Sequence, residues 1–237
     1  MSNWIEIFEL KMIKEELSQS RKHGVKVAIP IRSFIKNEKS EITQSFNVQL
    51  NQNLIDLYSE LECQQVSWSI SNRDQITIDL FKQDPWLIKN YFDHGYDWRV
   101  VHEMLSGFIN IQKLIDMFNP VFCREQAYFH TMSNLDNYNP DNFIPFDIHW
   151  GLTACLKSEN GEITDNIWLV HTDAEAVYDL QLSIVDYLNL AYQAKGFHYW
   201  QLIYVFKEKS THYELMKRFL PNLVPHVELD LSAWNIN

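Results

Sequence analysis

Residues 143–171 read FIPFDIHWGLTACLKSENGEITDNIWLVH, and this stretch decides the fold class. Phe143–Lys157 is dense in apolar and aromatic residues and reads as a strand. Asn160-Gly161 is the dipeptide suited to a two-residue hairpin turn, because both positions there need positive φ. Ile163–His171 then reads as the return strand, so an antiparallel hairpin is expected.

On the N-terminal side, Asn134–Asn142, NLDNYNPDN, is rich in turn formers and reads as a loop. Gly107 precedes a short strand, Phe108–Ile111, and an amphipathic segment, Gln112–Phe118, that Asn119-Pro120 should end. Further back, QVSWSIS (residues 65–71) alternates Val66, Trp68 and Ile70 with serines, the two-residue period of a half-buried strand. NLIDLYSEL before it sets Leu54, Ile55, Leu57, Tyr58 and Leu61 along a helical stripe. Residues 3–22 carry a similar period, closed by Gly24, and Val25–Ile31 reads as an edge strand or connector because of Pro30. Between residues 74 and 106, ITIDLF has strand alternation, and an irregular or helical connection follows, marked by Asp84-Pro85 and His94-Gly95.

On the C-terminal side, Val177, Leu180, Ile184, Leu188 and Ala191 fall on a helical stripe, with Asp173 or Asp179 as the N-cap and Gly196 beyond the end. FHYWQLIYVF (197–206) suits a strand buried on both faces, although period alone leaves a buried helix open. A last helix, His212–Leu220, should stop before Pro221. Helices and hairpins mix without a βαβ rhythm, repeat or dividing linker. The expectation is one α+β domain over residues 1–237, with helices packed on a twisted, mainly antiparallel sheet.

The chain of 237 residues carries a net charge of −11, which argues against a nucleic-acid binder or docking on an anionic membrane surface. The excess is local: residues 1–40 hold eight basic and five acidic groups, whereas residues 125–194 hold one Lys and eleven carboxylates. Such a stretch serves either solubility or the docking of a basic protein partner. Three cysteines without a CxxC pair suggest neither a disulfide framework nor a zinc site. The N-terminus lacks the apolar core of a signal peptide, and no stretch reaches the length of a membrane span, so a cytoplasmic protein is expected.

Catalytic patterns are sparse. Asp147 and His149 stand two apart in a strand and would share a face, as half of a metal site or an acid/base pair, or as structural polar groups. His171 and Asp173 repeat the spacing where a strand end and a helix cap are expected. The 134–142 loop fails as a calcium loop because Tyr138 and Pro140 occupy donor positions. Glycines never stand closer than ten residues apart, which excludes a Gly-rich phosphate loop, and no GxSxG nucleophile is present. Cys155, mid-strand, reads as core. No catalytic, cofactor or metal residue is assigned on these grounds.

Several pieces in order resemble the SMI1/KNR4 family of the SUKH superfamily: the helix NLIDLYSEL leading to QVSWSI, then SGFINIQKLIDMF, FIPFDIHWGLTACL and LSIVDYLNLAYQAKGFHYWQ. The matching positions are Trp68, Gly107, Ile109, Pro145, Phe146, Asp147, Ser183, Tyr187, Leu188, Gly196, Trp200 and Gln201, over about residues 45–205. The chain departs at Glu62-Cys63-Gln64-Gln65, where the family commonly has an Asn-Gly turn.

The resemblance implies an α+β domain whose motif residues bear the fold: a close approach at Gly107, core area at Phe146 and Trp200. It also implies a non-catalytic binding role. In bacteria such proteins are implicated in immunity, neutralising toxins by direct binding; fungal members are regulatory interaction proteins. Joined to the local acidity, the expectation is a basic toxin domain as partner, held by Glu159, Glu162, Asp165, Asp173 and Glu175 at the hairpin tip and the strand-to-helix corner. The alternatives are a regulatory or scaffold protein, and a hydrolase or metalloenzyme built on Asp147 and His149.

Overall fold

The computed structural model describes residues 25–28, 48–60, 64–70, 75–224 and 234. Within them, in chain order, lie β1 (Val25–Ala28), α1 (Gln52–Glu60), β2 (Gln64–Ile70), α2 (Gln75–Lys82), α3 (Pro85–Asn90), α4 (Trp98–Met104) and β3 (Ser106–Ile111). There follow α5 (Leu114–Met117), α6 (Pro120–Glu125), α7 (Ala127–Ser133), β4 (Phe143–His149), β5 (Leu152–Glu159), β6 (Glu162–His171), β7 (Ala176–Asp179), α8 (Ile184–Gln193), α9 (Trp200–Phe206) and α10 (Thr211–Leu223). The protein is α+β, with helices packed on an antiparallel sheet. The helix expected over residues 3–22 and its stop at Gly24 lie outside the described residues. The chain gathers into two compact units, one from residues 1–7, 30–65 and 109–189, the other from 8–29, 66–108 and 190–237.

The first unit is built on the meander β4-β5-β6-β7, each strand antiparallel to the next, with Ile111 of β3 paired to Asp147 of β4. The Asn160-Gly161 turn forms as expected, with φ of 53° and 82°. Gln49 bonds to either side of it, donating to Gly161 O and accepting from Ile163 N.

The register sorts side chains by face, since neighbours along a strand point oppositely. Phe143, Cys155, Trp168, Val170 and Val177 share one face, which Tyr128 and Met132 of α7 cover. Asp147 pairs with Ala154, one step out of phase with Cys155, and so points to the other face, where Tyr187 of α8 meets it. α1 is capped by Asn51, whose Oδ1 accepts from Leu54 N while its Nδ2 donates to Ile163 O.

In the second unit β1 pairs with β2, placing Val27 opposite Trp68. The buried Trp68 donates its indole N–H to Lys195 O at 2.7 Å, and Phe197 packs beside its ring. That carbonyl is presented by a helix exit in which Lys195 and Gly196 both take left-handed φ, 51° and 65°. Elsewhere in the unit Phe81 packs on Phe219 and Trp98. The buried Trp234 lies edge-on to Trp200 and donates to Gln193 Oε1.

Five local expectations are corrected. FIPFDIHWGLTACLK is two strands: Gly151, at φ 73°, lets Trp150-Gly151 turn the chain so that Leu152 pairs with His149. ITIDLF lies in α2; Ile78 is buried and Phe81, three residues on, packs on aromatic rings, while Asp79 and Leu80 face water. Residues 176–179 form β7, and α8 begins only at Ile184. There Ser183 Oγ accepts from Asp186 N and Asp165 Oδ1 accepts from Ile184 N, so neither Asp173 nor Asp179 caps the helix. FHYWQLIYVF is no strand: Trp200–Phe206 is a helix with four successive buried residues, Trp200 to Ile203, the all-round burial that hides a period. Finally, α10 runs through Pro221 to Leu223; the proline sits exposed in the last turn and lacks the N–H that a helical residue there would donate to Lys217 O.

Gly107 lies beneath the Trp68 indole: a Cβ there would stand 2.0 Å from Nε1 and 2.7 Å from Lys195 O. Gly107→Ala should therefore cost about 3 kcal/mol, by overpacking and by breaking the indole hydrogen bond. Urea unfolding measures this, and a change below about 0.5 kcal/mol would contradict the packing described.

Candidate functional site

Two groups of residues compete for attention, one buried and one at the rim of the sheet. The buried one centres on Asp147, which has no exposed surface. Its Oδ1 accepts from Asn110 N and its Oδ2 from the Tyr187 hydroxyl, each at 2.8 Å. His149 Nε2 stands 3.8 Å from Oδ2, beyond hydrogen-bond length, and is itself nearly buried. Both carboxylate oxygens are thus engaged in tying β3, β4 and α8 together. Phe146, in the bulge where the β4–β5 register shifts, packs its ring on Tyr187. Trp200 and Gln201 are buried on α9. Trp68, Gly107, Phe146, Asp147, Trp200 and Gln201 all sit in the interior.

On the opposite face of the sheet, Tyr128 donates to Phe143 O and lies with Cys155 in one apolar cluster, against which Cys123 packs. Burial pushes both thiols and the phenol upward, Cys155 and Tyr128 most. The thiols are held protonated, which is the opposite of nucleophile activation. Among the described residues, no group of three or more His, Cys, Asp and Glu is placed to hold a metal ion, and no helix is long and apolar enough to cross a membrane.

The five carboxylates expected on the surface do not form one face. Glu159 and Glu162 are opposite each other at the hairpin tip, both exposed, and Glu159 pairs with Lys157 Nζ at 2.6 Å. Asp173 and Glu175 are exposed in the turn that joins β6 to β7. β6 spans ten residues between these two sites, about 30 Å at the usual strand rise. Asp165 is half-buried and committed to Ile184 N and the Asn53 amide.

The end of the sheet at Asp173 holds a residue that sequence reasoning missed. Trp150, taken for a strand residue, occupies the β4–β5 turn and is 73% exposed. The turn is fastened to its neighbour by Thr172 N donating to Gly151 O at 2.8 Å, so Trp150 lies beside the Asp173–Glu175 loop. An indole left in water forgoes roughly 2–3 kcal/mol of burial, and tryptophan is enriched among the residues that carry binding energy in protein interfaces. The signal available in the sequence was the Trp-Gly dipeptide, with glycine able to close a two-residue turn.

Comparison of the chain with protein-family models, curated proteins and solved structures yields no match.

Two outcomes are expected. Tyr187→Phe removes one of Asp147's two donors inside the fold and should destabilise by about 1–3 kcal/mol in urea unfolding. His171 lies half-buried at the β6 end; burial lowers its pKa below 6.5, with Asp173 opposing in part. A folded pKa below the unfolded one contributes stability that is full above about pH 6.5 and lost as pH falls through the folded value. His171→Gln should flatten the stability loss between about pH 7 and 5, measured by unfolding at each pH.

Proposed function

We propose that the chain is a non-catalytic protein-binding module, an immunity protein of SMI1/KNR4 type that acts in the cytoplasm and neutralises a basic toxin domain by direct binding. The observation that carries this reading is where the charge lies. Residues 125–194 hold eleven carboxylates against one lysine, and Glu162, Asp173 and Glu175 among them are exposed at the ends of the sheet. The polar groups with catalytic potential, Asp147 and His149, are instead buried within the fold, and Asp147 is spent on hydrogen bonds. A binder of this kind needs a rigid scaffold that carries charge at its rim, where a field of one sign speeds encounter with an oppositely charged partner. The motif positions of the resemblance, interior except for the half-buried Ser183, supply the scaffold. The partner is selected by shape and charge at the rim.

The test is co-expression with basic toxin domains encoded beside the gene. Restored growth together with a co-purifying complex supports the reading; continued toxicity with no complex opposes it. In such a complex, joint reversal of Glu159, Glu162 and Asp173 to lysine should weaken binding at least about tenfold and flatten its dependence on salt. Unchanged affinity and salt dependence would remove the acidic surface from the account.

A further inference from the structure

The two acidic ends of the sheet differ in what accompanies their carboxylates. At the hairpin tip, Glu159 is already paired with Lys157, and no exposed aromatic residue stands in the turn. At the other end, the β4–β5 turn, which carries the exposed Trp150, is bonded through its backbone to the β6–β7 turn, which carries the exposed Asp173 and Glu175. No Lys or Arg occurs in residues 143–156 or 166–179, the parts of β4 to β7 that run to these two turns. His171, held toward its neutral form by burial, adds little positive charge at neutral pH. Backbone geometry fixes both turns: Gly151 and Glu175 take left-handed φ, 73° and 46°, and Thr172 N is bonded to Gly151 O.

Resting on the binding role proposed above, we infer that this end of the sheet is the primary contact and that it takes an arginine side chain of the partner protein, stacked on Trp150 and bonded to Asp173 and Glu175. The chemistry selects arginine over lysine. A guanidinium is planar and weakly hydrated, so it stacks on an indole face while its edge N–H groups donate to carboxylates. An ammonium has neither a face to stack nor a fork to share, and holds its water more firmly. Trp and Arg are also the residues that most often carry the energy of protein interfaces. The two carboxylates supply charge complementarity, and the indole supplies the apolar area that slows departure.

The test uses the full chain, 15N-labelled, with nona-arginine, nona-lysine and a neutral Gly-Ser peptide of equal length as probes. Loss of one indole N–H signal in Trp150→Phe, a change at an exposed site, identifies the Trp150 resonance. Nona-arginine should shift that signal saturably, with affinity at least tenfold above nona-lysine at the same ionic strength, and the neutral peptide should leave it in place. Asp173→Asn with Glu175→Gln should lower the nona-arginine affinity at least tenfold. Equal affinity for both basic peptides, an unmoved Trp150 signal, or indifference to the double substitution overturns the inference. If nona-arginine shifts the amides of residues 159–162 instead, the arginine site is wrong while the wider reading of a basic partner stands. Oligomer formation through Trp150, seen as a concentration-dependent shift of its signal without peptide, overturns it in favour of a second copy of this chain. If neither basic peptide binds anywhere at low salt, the inference and the acidic-surface reading fail together.

Discussion

Asp147 is enclosed on every side, and a carboxylate without water must be met by donors or it costs several kcal/mol. Two donors meet it, and they come from distant parts of the sequence: the Asn110 amide on β3 and the Tyr187 hydroxyl on α8. Each must arrive at hydrogen-bond length. That requirement sets where β3 runs along β4 and where α8 lies on the sheet, and much of the first unit follows. Tyr187 brings its ring onto Phe146, and Asp165 reaches the first turn of α8 to receive Ile184 N. The bulge beside Asp147 changes which residues of β4 face which side. Two residues further on, the strand ends at the turn that carries Trp150.

The second unit rests on a different kind of constraint, steric rather than electrostatic. The Trp68 indole lies on the backbone at Gly107, where a side chain has no room, and its N–H is aimed at a carbonyl that only a left-handed helix exit presents. In both units, then, the polar and aromatic residues of the interior are used to hold elements together. In the proposed binding role, recognition falls to the rim: turns of two to four residues that the strands hold still. This division suits a binding protein, since a rigid frame reduces the ordering cost of association while short turns remain free to vary in residue type.

Elements with strong local signals were legible in the sequence. The Asn160-Gly161 turn, the Asn51-capped helix, the alternation around Trp68 and the 134–142 loop all follow from backbone preference or period, which need no distant partner. Two of the misreadings share one cause. FHYWQLIYVF and ITIDLF contain too little polar punctuation for period to separate helix from strand, so their conformation was settled by packing. The helix start at Ile184 was read several residues early because two of its caps, Ser183 and Asp165, act together, and Asp165 comes from a strand nineteen residues away. Pro221 signals a stop, yet α10 carries it in its last turn, because buried Phe219, Leu220 and Leu223 on either side hold the helix although one backbone donor is missing.

Of the candidate surface, the sequence by itself determined composition: an acidic excess greatest in residues 125–194 and the residues that bear it. It also determined the α+β class, because hairpin chemistry and helical period are local properties. Only the tertiary structure decided which carboxylates are available. Asp165 and Glu159 became engaged with an amide and an ammonium, and the others were divided between opposite ends of β6. Tertiary structure also turned Trp150 out into water, in a turn bonded to the one that carries Asp173 and Glu175. The reason is physical: charge is additive along a chain and can be counted, whereas exposure depends on strand register, and a single two-residue turn reverses it.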